Sequence, residues 1–160
     1  MTAIIRFPKI NPHKRHMNHL METLPILLQK AKEASVAQVR HTLAGFGLTE
    51  QQWRVIRASF EHGEMNAQEL AQRSAILGPS LSRILNRLET DGILSRRTAE
   101  GDLRELTIKL SANGKRLHNK VQPMLDQHYG ALADKLGSRK SKQLTELLEF
   151  VASLNPEVKH

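Results

Sequence analysis

Residues 78–92 read Gly-Pro-Ser-Leu-Ser-Arg-Ile-Leu-Asn-Arg-Leu-Glu-Thr-Asp-Gly, and their periodicity decides the fold. Gly78-Pro79 opens a helix, with proline in the first turn, where a missing N–H costs nothing. Asp91-Gly92 closes it. At about 100° per residue, Leu81, Ile84, Leu85 and Leu88 share one face. Pro79, Arg83, Asn86 and Thr90 share the opposite face, flanked by Ser82 and Arg87, with no acid on its centre line. Such a face can be an ordinary solvated one. It is also the set of groups that reads DNA: Arg bonds guanine or phosphate, Asn pairs with adenine, and Ser80 and Ser82 bond phosphate oxygens.

The flanking sequence favours the DNA reading. Upstream, Asn66 and Glu69 form a capping box for a short helix through Arg73, and Ser74 to Gly78 is a tight connection into the next helix. Before that, Thr49 and Gln52 form another capping box, for a helix carrying Trp53, Ile56 and Phe60 and ending near Gly63. Downstream the period changes to two. Ile93 to Thr98 predicts a strand, Glu100-Gly101-Asp102 a turn, and Leu106, Ile108 and Leu110 alternate with Glu105, Thr107 and Lys109 as a half-buried strand. This is a helix-turn-helix followed by a hairpin wing. Arg96 and Arg97 lie in the first strand of the wing, and Arg104 lies just past its tip. Asp102, two residues before, can hold Arg104 extended for a narrow minor groove. As a plain surface ion pair Asp102–Arg104 contributes little. Its place after a helix-turn-helix favours DNA.

The ends of the chain predict assembly. Residues 1–22 read as a basic arm, with no acid before Glu22 and with Pro8 and Pro12 breaking regular structure. Thr23 can cap a helix with Pro25 in its first turn; Leu24, Leu27, Leu28, Ala31, Ala34, Val39 and Leu43 follow at helical spacing, and Gly45 and Gly47 stop it. Ser111 caps a long fifth helix that Gly137 ends. Ser138 caps a sixth, with Leu144, Leu147, Leu148, Val151 and Leu154 on its apolar side. These helices carry more apolar surface than one chain can bury, so a second copy is expected. The fold class is mainly α with a small β wing. Its parts are an arm (1–22), a helical dimerisation region (23–47 and 111–160) and a winged helix-turn-helix (48–110).

Composition agrees. A chain of 160 residues is one domain, or one domain with an assembly arm. Lys plus Arg is 24 against 16 for Asp plus Glu, a net charge of +8, which favours a polyanionic partner. Cysteine is absent, which excludes disulfides, thiolate catalysis and thiol redox sensing. No signal-peptide run and no stretch of about 20 apolar residues occurs, so a cytoplasmic protein without a membrane partner is expected. There is no glycine-rich phosphate loop, no His-Glu-x-x-His and no nucleophile motif; neither enzymatic activity nor a cofactor is expected.

The run from Leu48 to Leu117 resembles the winged-helix core of the MarR family of bacterial regulators. The residues that carry the resemblance are Leu48-Thr49-Glu50-Gln51-Gln52-Trp53-Arg54, Leu77-Gly78-Pro79-Ser80-Leu81-Ser82-Arg83, Leu88-Glu89-Thr90-Asp91-Gly92-Ile93-Leu94, Asp102-x-Arg104 and Leu110-Ser111-Ala112-Asn113-Gly114. The Thr49–Arg54 and Pro79–Ser82 stretches look more particularly like the branch that represses homoprotocatechuate and hydroxycinnamate catabolism. The resemblance implies a homodimer on a palindromic double-stranded operator, with Pro79, Ser80, Ser82, Arg83, Asn86, Arg87, Arg97, Asp102 and Arg104 at the DNA. It also implies release by a small phenolic or aromatic carboxylic acid. In that reading Trp53 lines the aromatic pocket, Arg40, Arg54 or Arg15 meets the carboxylate, since a buried carboxylate needs a cation, and His41 bonds a phenolic hydroxyl. Core packing is the plain role for Trp53.

Two other readings remain. One is a basic dimer that coats DNA without a ligand switch. The other is a metal-responsive regulator built on His13, His16 and His19, which recur every third residue of the arm. No cysteine and only Glu22 support a metal there, so no metal site is expected.

Overall fold

The computed structural model describes the backbone of residues 12–99 and 102–154, and the side chains of 22–97 and 106–154. Two reciprocal capping boxes start the helix-turn-helix. Thr49 Oγ1 accepts from Gln52 N at 3.2 Å and Gln52 Oε1 accepts from Thr49 N at 2.8 Å, opening α2 (Glu50–His62). Asn66 Oδ1 accepts from Glu69 N at 2.9 Å and Glu69 Oε2 from Asn66 N at 3.3 Å, opening α3 (Ala67–Ser74). Each box satisfies two amides that a helix start would otherwise leave orphaned. Helix α4 spans Gly78–Thr90 and buries Leu81, Leu85 and Leu88, the expected face.

Helix α1 corrects the expectation for the N-terminal region. It runs continuously over Pro12–Ala44, so neither a proline-broken segment through residue 22 nor a start at Thr23 holds. Pro12 opens the helix, where proline needs no donor. Pro25 lies inside it and removes one backbone bond. Residues 1–37 and 38–160 are two separately compact units. In the first, Ile26 and Leu27 of α1 are exposed.

In the second unit, strands β1 (Leu94–Ala99) and β2 (Asp102–Leu110) pair antiparallel, Leu94 with Leu110 and Arg96 with Ile108. A two-bond bridge between Met65 and Ile108 ties this hairpin to the α2–α3 connection. Ile108 and Leu110 are buried as expected; Leu106, expected with them, is 47% exposed. Helix α5 (Ala112–Ser153) is interrupted at Gly137, whose φ of 73° and ψ of 158° separate two helical runs at the expected position. Gly114 of α5 sits where a Cβ would lie 2.1 Å from the Ile93 carbonyl oxygen and 2.8 Å from Leu110 Cγ. Only glycine lets α5 approach the wing root this closely. The core joins Leu43 of α1, Ile56 of α2, Leu70 of α3, Leu81 and Leu88 of α4, Ile108 of β2, and Val121 and Leu125 of α5. After Gly137 the apolar side of α5 is bare, with Leu144, Leu147, Leu148 and Leu154 all exposed.

Candidate nucleic-acid interface

The connection between α3 and α4 sets how the fourth helix is presented. Ala75 adopts the left-handed conformation at φ 50° and ψ 49°, rare for a residue with a Cβ, and its N–H returns to Ala71 and Gln72 carbonyls. Arg54 of α2 reaches into this turn. Its Nη1 donates to the Ser74 and Ala75 carbonyls at 2.9 and 3.0 Å, and its Nε lies 2.9 Å from Glu50 Oε1 without hydrogen-bond alignment. A guanidinium with two backbone acceptors braces the strained turn.

On α4 so held, Pro79, Ser80, Ser82, Arg83, Asn86 and Arg87 are all exposed. Ser82 Oγ donates back to the Gly78 carbonyl at 3.2 Å, and Arg87 Nε pairs with Asp91 Oδ2 at 2.9 Å. The Arg83 guanidinium makes no hydrogen bond or ion pair among the described residues. Ser80, Arg83 and Arg87 line a groove of about 240 Å³ whose other wall is the start of α2, at Thr49, Gln51 and Gln52. Two exposed guanidiniums line one wall of this groove, which suits a phosphate.

Asn86 is more constrained than its sequence position implies. Arg96 Nη2 donates to Asn86 Oδ1 at 2.8 Å, while Arg96 Nε donates to Glu89 Oε2 at 2.9 Å and Arg96 Nη2 pairs closely with the same carboxylate. The bond to Arg96 holds the Glu89 carboxyl below the usual carboxylate range. Strand alternation then separates the two neighbouring arginines: Arg96 turns in to α4 and Arg97 stands exposed. The backbones of Asp102 and Arg104 lie in β2, and their side chains fall outside the described residues.

Among the described residues, those expected at a ligand take separate roles. Trp53 is 4% exposed and packs in the core, stacked at 5.3 Å on His118 of α5, which stacks in turn on Phe60 at 3.7 Å. Arg54 braces the turn. Arg40 and His41 are exposed on α1, and the side chain of Arg15 falls outside the described residues. So do those of His13, His16 and His19. Among the described residues no three His, Asp or Glu side chains group as metal ligands, and no helix is long and apolar enough to cross a membrane.

Tyr129, the chain's one tyrosine, was not singled out by the sequence reading. Burial raises its phenol pKa, and Arg57 and Glu50 of α2 lie within electrostatic reach of it. Arg57 is one turn beyond Trp53, with its Nε on Glu61 Oε1 at 2.7 Å. The spacing Trp53-x-x-x-Arg57 was legible in the sequence. That α5 delivers a phenol to it was not.

Residues 48–106 match the MarR family. The homoprotocatechuate degradative operon repressor of Escherichia coli is 39% identical over 132 residues, 82% of this chain and 89% of its own length. The chain belongs to the MarR family. Regulators of this family are DNA-binding proteins, not enzymes, and bind DNA as dimers. Among solved structures, NadR in complex with 4-hydroxyphenylacetate is 34% identical, covering 97% of this chain and all of its own, with a TM-score of 0.72. The repressor CouR bound to a 23-mer DNA duplex is 25% identical with a TM-score of 0.75, over 85% of this chain and 98% of its own.

Proposed function

We propose that this MarR-family chain is a cytoplasmic, homodimeric repressor of aromatic-acid catabolism genes. It holds a palindromic operator with α4 and the wing, and a hydroxylated aromatic monocarboxylate of the hydroxyphenylacetate or hydroxycinnamate type releases it. The observation that carries the DNA half is the outward face of α4, where Arg83 has no internal partner among the described residues and lines a groove with Ser80 and Arg87. The bare leucines of α5 after Gly137 supply the surface a second copy would cover. Residues 23–47 and 111–160 supply that dimerisation region, and the winged helix-turn-helix spans 48–110.

The ligand half is supported by full-length similarity to a protein solved with 4-hydroxyphenylacetate. It is also supported by the aromatic and cationic side chains of α2 and α5. With Arg54 bonded to the α3–α4 turn, Arg57 is the α2 guanidinium best suited to the carboxylate. Tyr129, 40% exposed on α5 with Arg57 within electrostatic reach, is suited to the ring or its hydroxyl, and Trp53 supports the pocket wall. Arg15, Arg40 and His41 are the further candidates.

The test is operator binding by the full chain with and without 4-hydroxyphenylacetate, 4-hydroxycinnamate and their methyl esters. Release by the acids and not the esters supports the reading. Binding indifferent to every acid favours the DNA-coating dimer, and loss on adding a chelator favours metal sensing through the N-terminal histidines.

A further inference from the structure

We propose that the cavity between the end of α2, the end of β2 and the start of α5 is a second small-molecule site. It takes a small monocarboxylate with a flat apolar body. This half-open cleft holds about 210 Å³ and is lined by Ser59, Phe60, Gly63, Glu64, Lys109, Leu110 and Lys115. An apolar cavity of about 150 Å³ already holds a benzene ring, so a ring with one carboxylate fits in size.

Three observations define the chemistry. Ser59 is 2% exposed, and its buried Oγ meets no hydrogen-bond partner among the described residues, in a helix where an earlier carbonyl is the usual one. A buried hydroxyl without an acceptor is costly, and an acceptor bound in the cavity relieves that cost. Next, the charge is unbalanced. Lys109 pairs with Glu64, and Lys115 also lines the cavity, so two cations share its wall with one anion. Lys115 makes no hydrogen bond or ion pair among the described residues. The surplus suits an anion, and Glu64 at the wall disfavours one of high charge. Last, Phe60 is 40% exposed with His118 stacked on its ring, and with Leu110 it gives the cavity an apolar wall.

This site is separate from the effector reading above and does not depend on it. The test is 1H–15N NMR of the full chain titrated with benzoate, and with benzamide as the uncharged isostere. It uses the parent, Lys115→Ala and Arg57→Ala; Lys115 is an exposed helix position where alanine preserves the fold. In the parent, benzoate is expected to shift amides of Ser59, Gly63 and 109–115. Lys115→Ala should weaken that binding about tenfold or more, the worth of a charge-assisted bond. Arg57→Ala should leave it intact, and benzamide should bind far more weakly. Shifts absent from these residues, unchanged in Lys115→Ala, lost in Arg57→Ala, or equal for benzamide would each overturn the site. Failure of the effector reading registers separately, as operator binding indifferent to hydroxylated aromatic acids.

Discussion

Arg96 on the first wing strand donates to Asn86 on the outer face of the fourth helix at 2.8 Å, and the same guanidinium holds Glu89 one turn on. An arginine can only donate, so the Asn86 atom facing it is the carbonyl oxygen. That oxygen keeps its second lone pair and the amide nitrogen keeps both hydrogens, so bidentate pairing with adenine stays open to Asn86, with the amide oriented by Arg96. Arg96→Ala is expected to loosen the wing from α4 and change base preference at the Asn86 position. A binding-site selection comparing parent and variant measures this; an identical preferred sequence would show that the contact is structural only.

The same link gives a pH dependence. Glu89 has its folded pKa lowered, chiefly by its bond to Arg96. A lowered carboxylate pKa contributes stability above the unfolded pKa, and that contribution is lost as pH falls through the folded one. Thermal melts between neutral and acid pH should therefore show a smaller acid-induced drop for Glu89→Gln than for the parent. The difference should be modest, because the pair is partly exposed.

Arg83→Ala should weaken operator binding and flatten base preference, since a bidentate arginine is worth about 1–3 kcal/mol of discrimination. Arg104→Ala should lower affinity, and Asp102→Ala should lower it less, by freeing the arginine rather than removing it. Affinity should fall steeply with salt, because phosphate contacts release counterions. Gel shifts on operator and scrambled DNA at two salt concentrations report all three.

Two arginines three residues apart should behave oppositely. Arg54→Ala leaves the Ser74 and Ala75 carbonyls without their donor, and should cost about 1–3 kcal/mol of stability. Arg57→Ala, at an exposed position, should leave stability nearly unchanged and abolish the response to 4-hydroxyphenylacetate. In the parent that acid should raise stability by about 2.7 kcal/mol at a hundredfold excess over its dissociation constant, and emission from the lone Trp53 should report binding. Equal stability of the two variants would undo this division of roles.

Gly114→Ala should be strongly destabilising. Its Cβ would lie 2.1 Å from a backbone oxygen that cannot swing away. A melt within a degree or two of the parent would mean that the start of α5 can shift off the wing root.

Much of this was determined by the sequence alone. The two capping boxes, the Gly-Pro opening of α4, its buried leucines and the breaks at Gly47, Gly63, Gly92 and Gly137 are local signals, each written within about one helical turn. They define the elements, and their order defines a winged helix-turn-helix. Where local signals conflicted the reading failed: prolines predicted a break before residue 23, yet Pro12 begins α1 and Pro25 is accommodated within it.

Tertiary structure alone decided what each polar side chain does. Arg54 and Arg57 look alike in sequence, and Arg96 and Arg97 are adjacent; only the packed positions of the α3–α4 turn and of α4 commit Arg54 and Arg96 to internal bonds. His118, the Tyr129 phenol and the Ser59 hydroxyl acquire their surroundings from helices far apart in the chain. Backbone periodicity depends on neighbours three or four residues away, so it is written locally. Hydrogen-bond partnership depends on distance in space, and folding sets that distance.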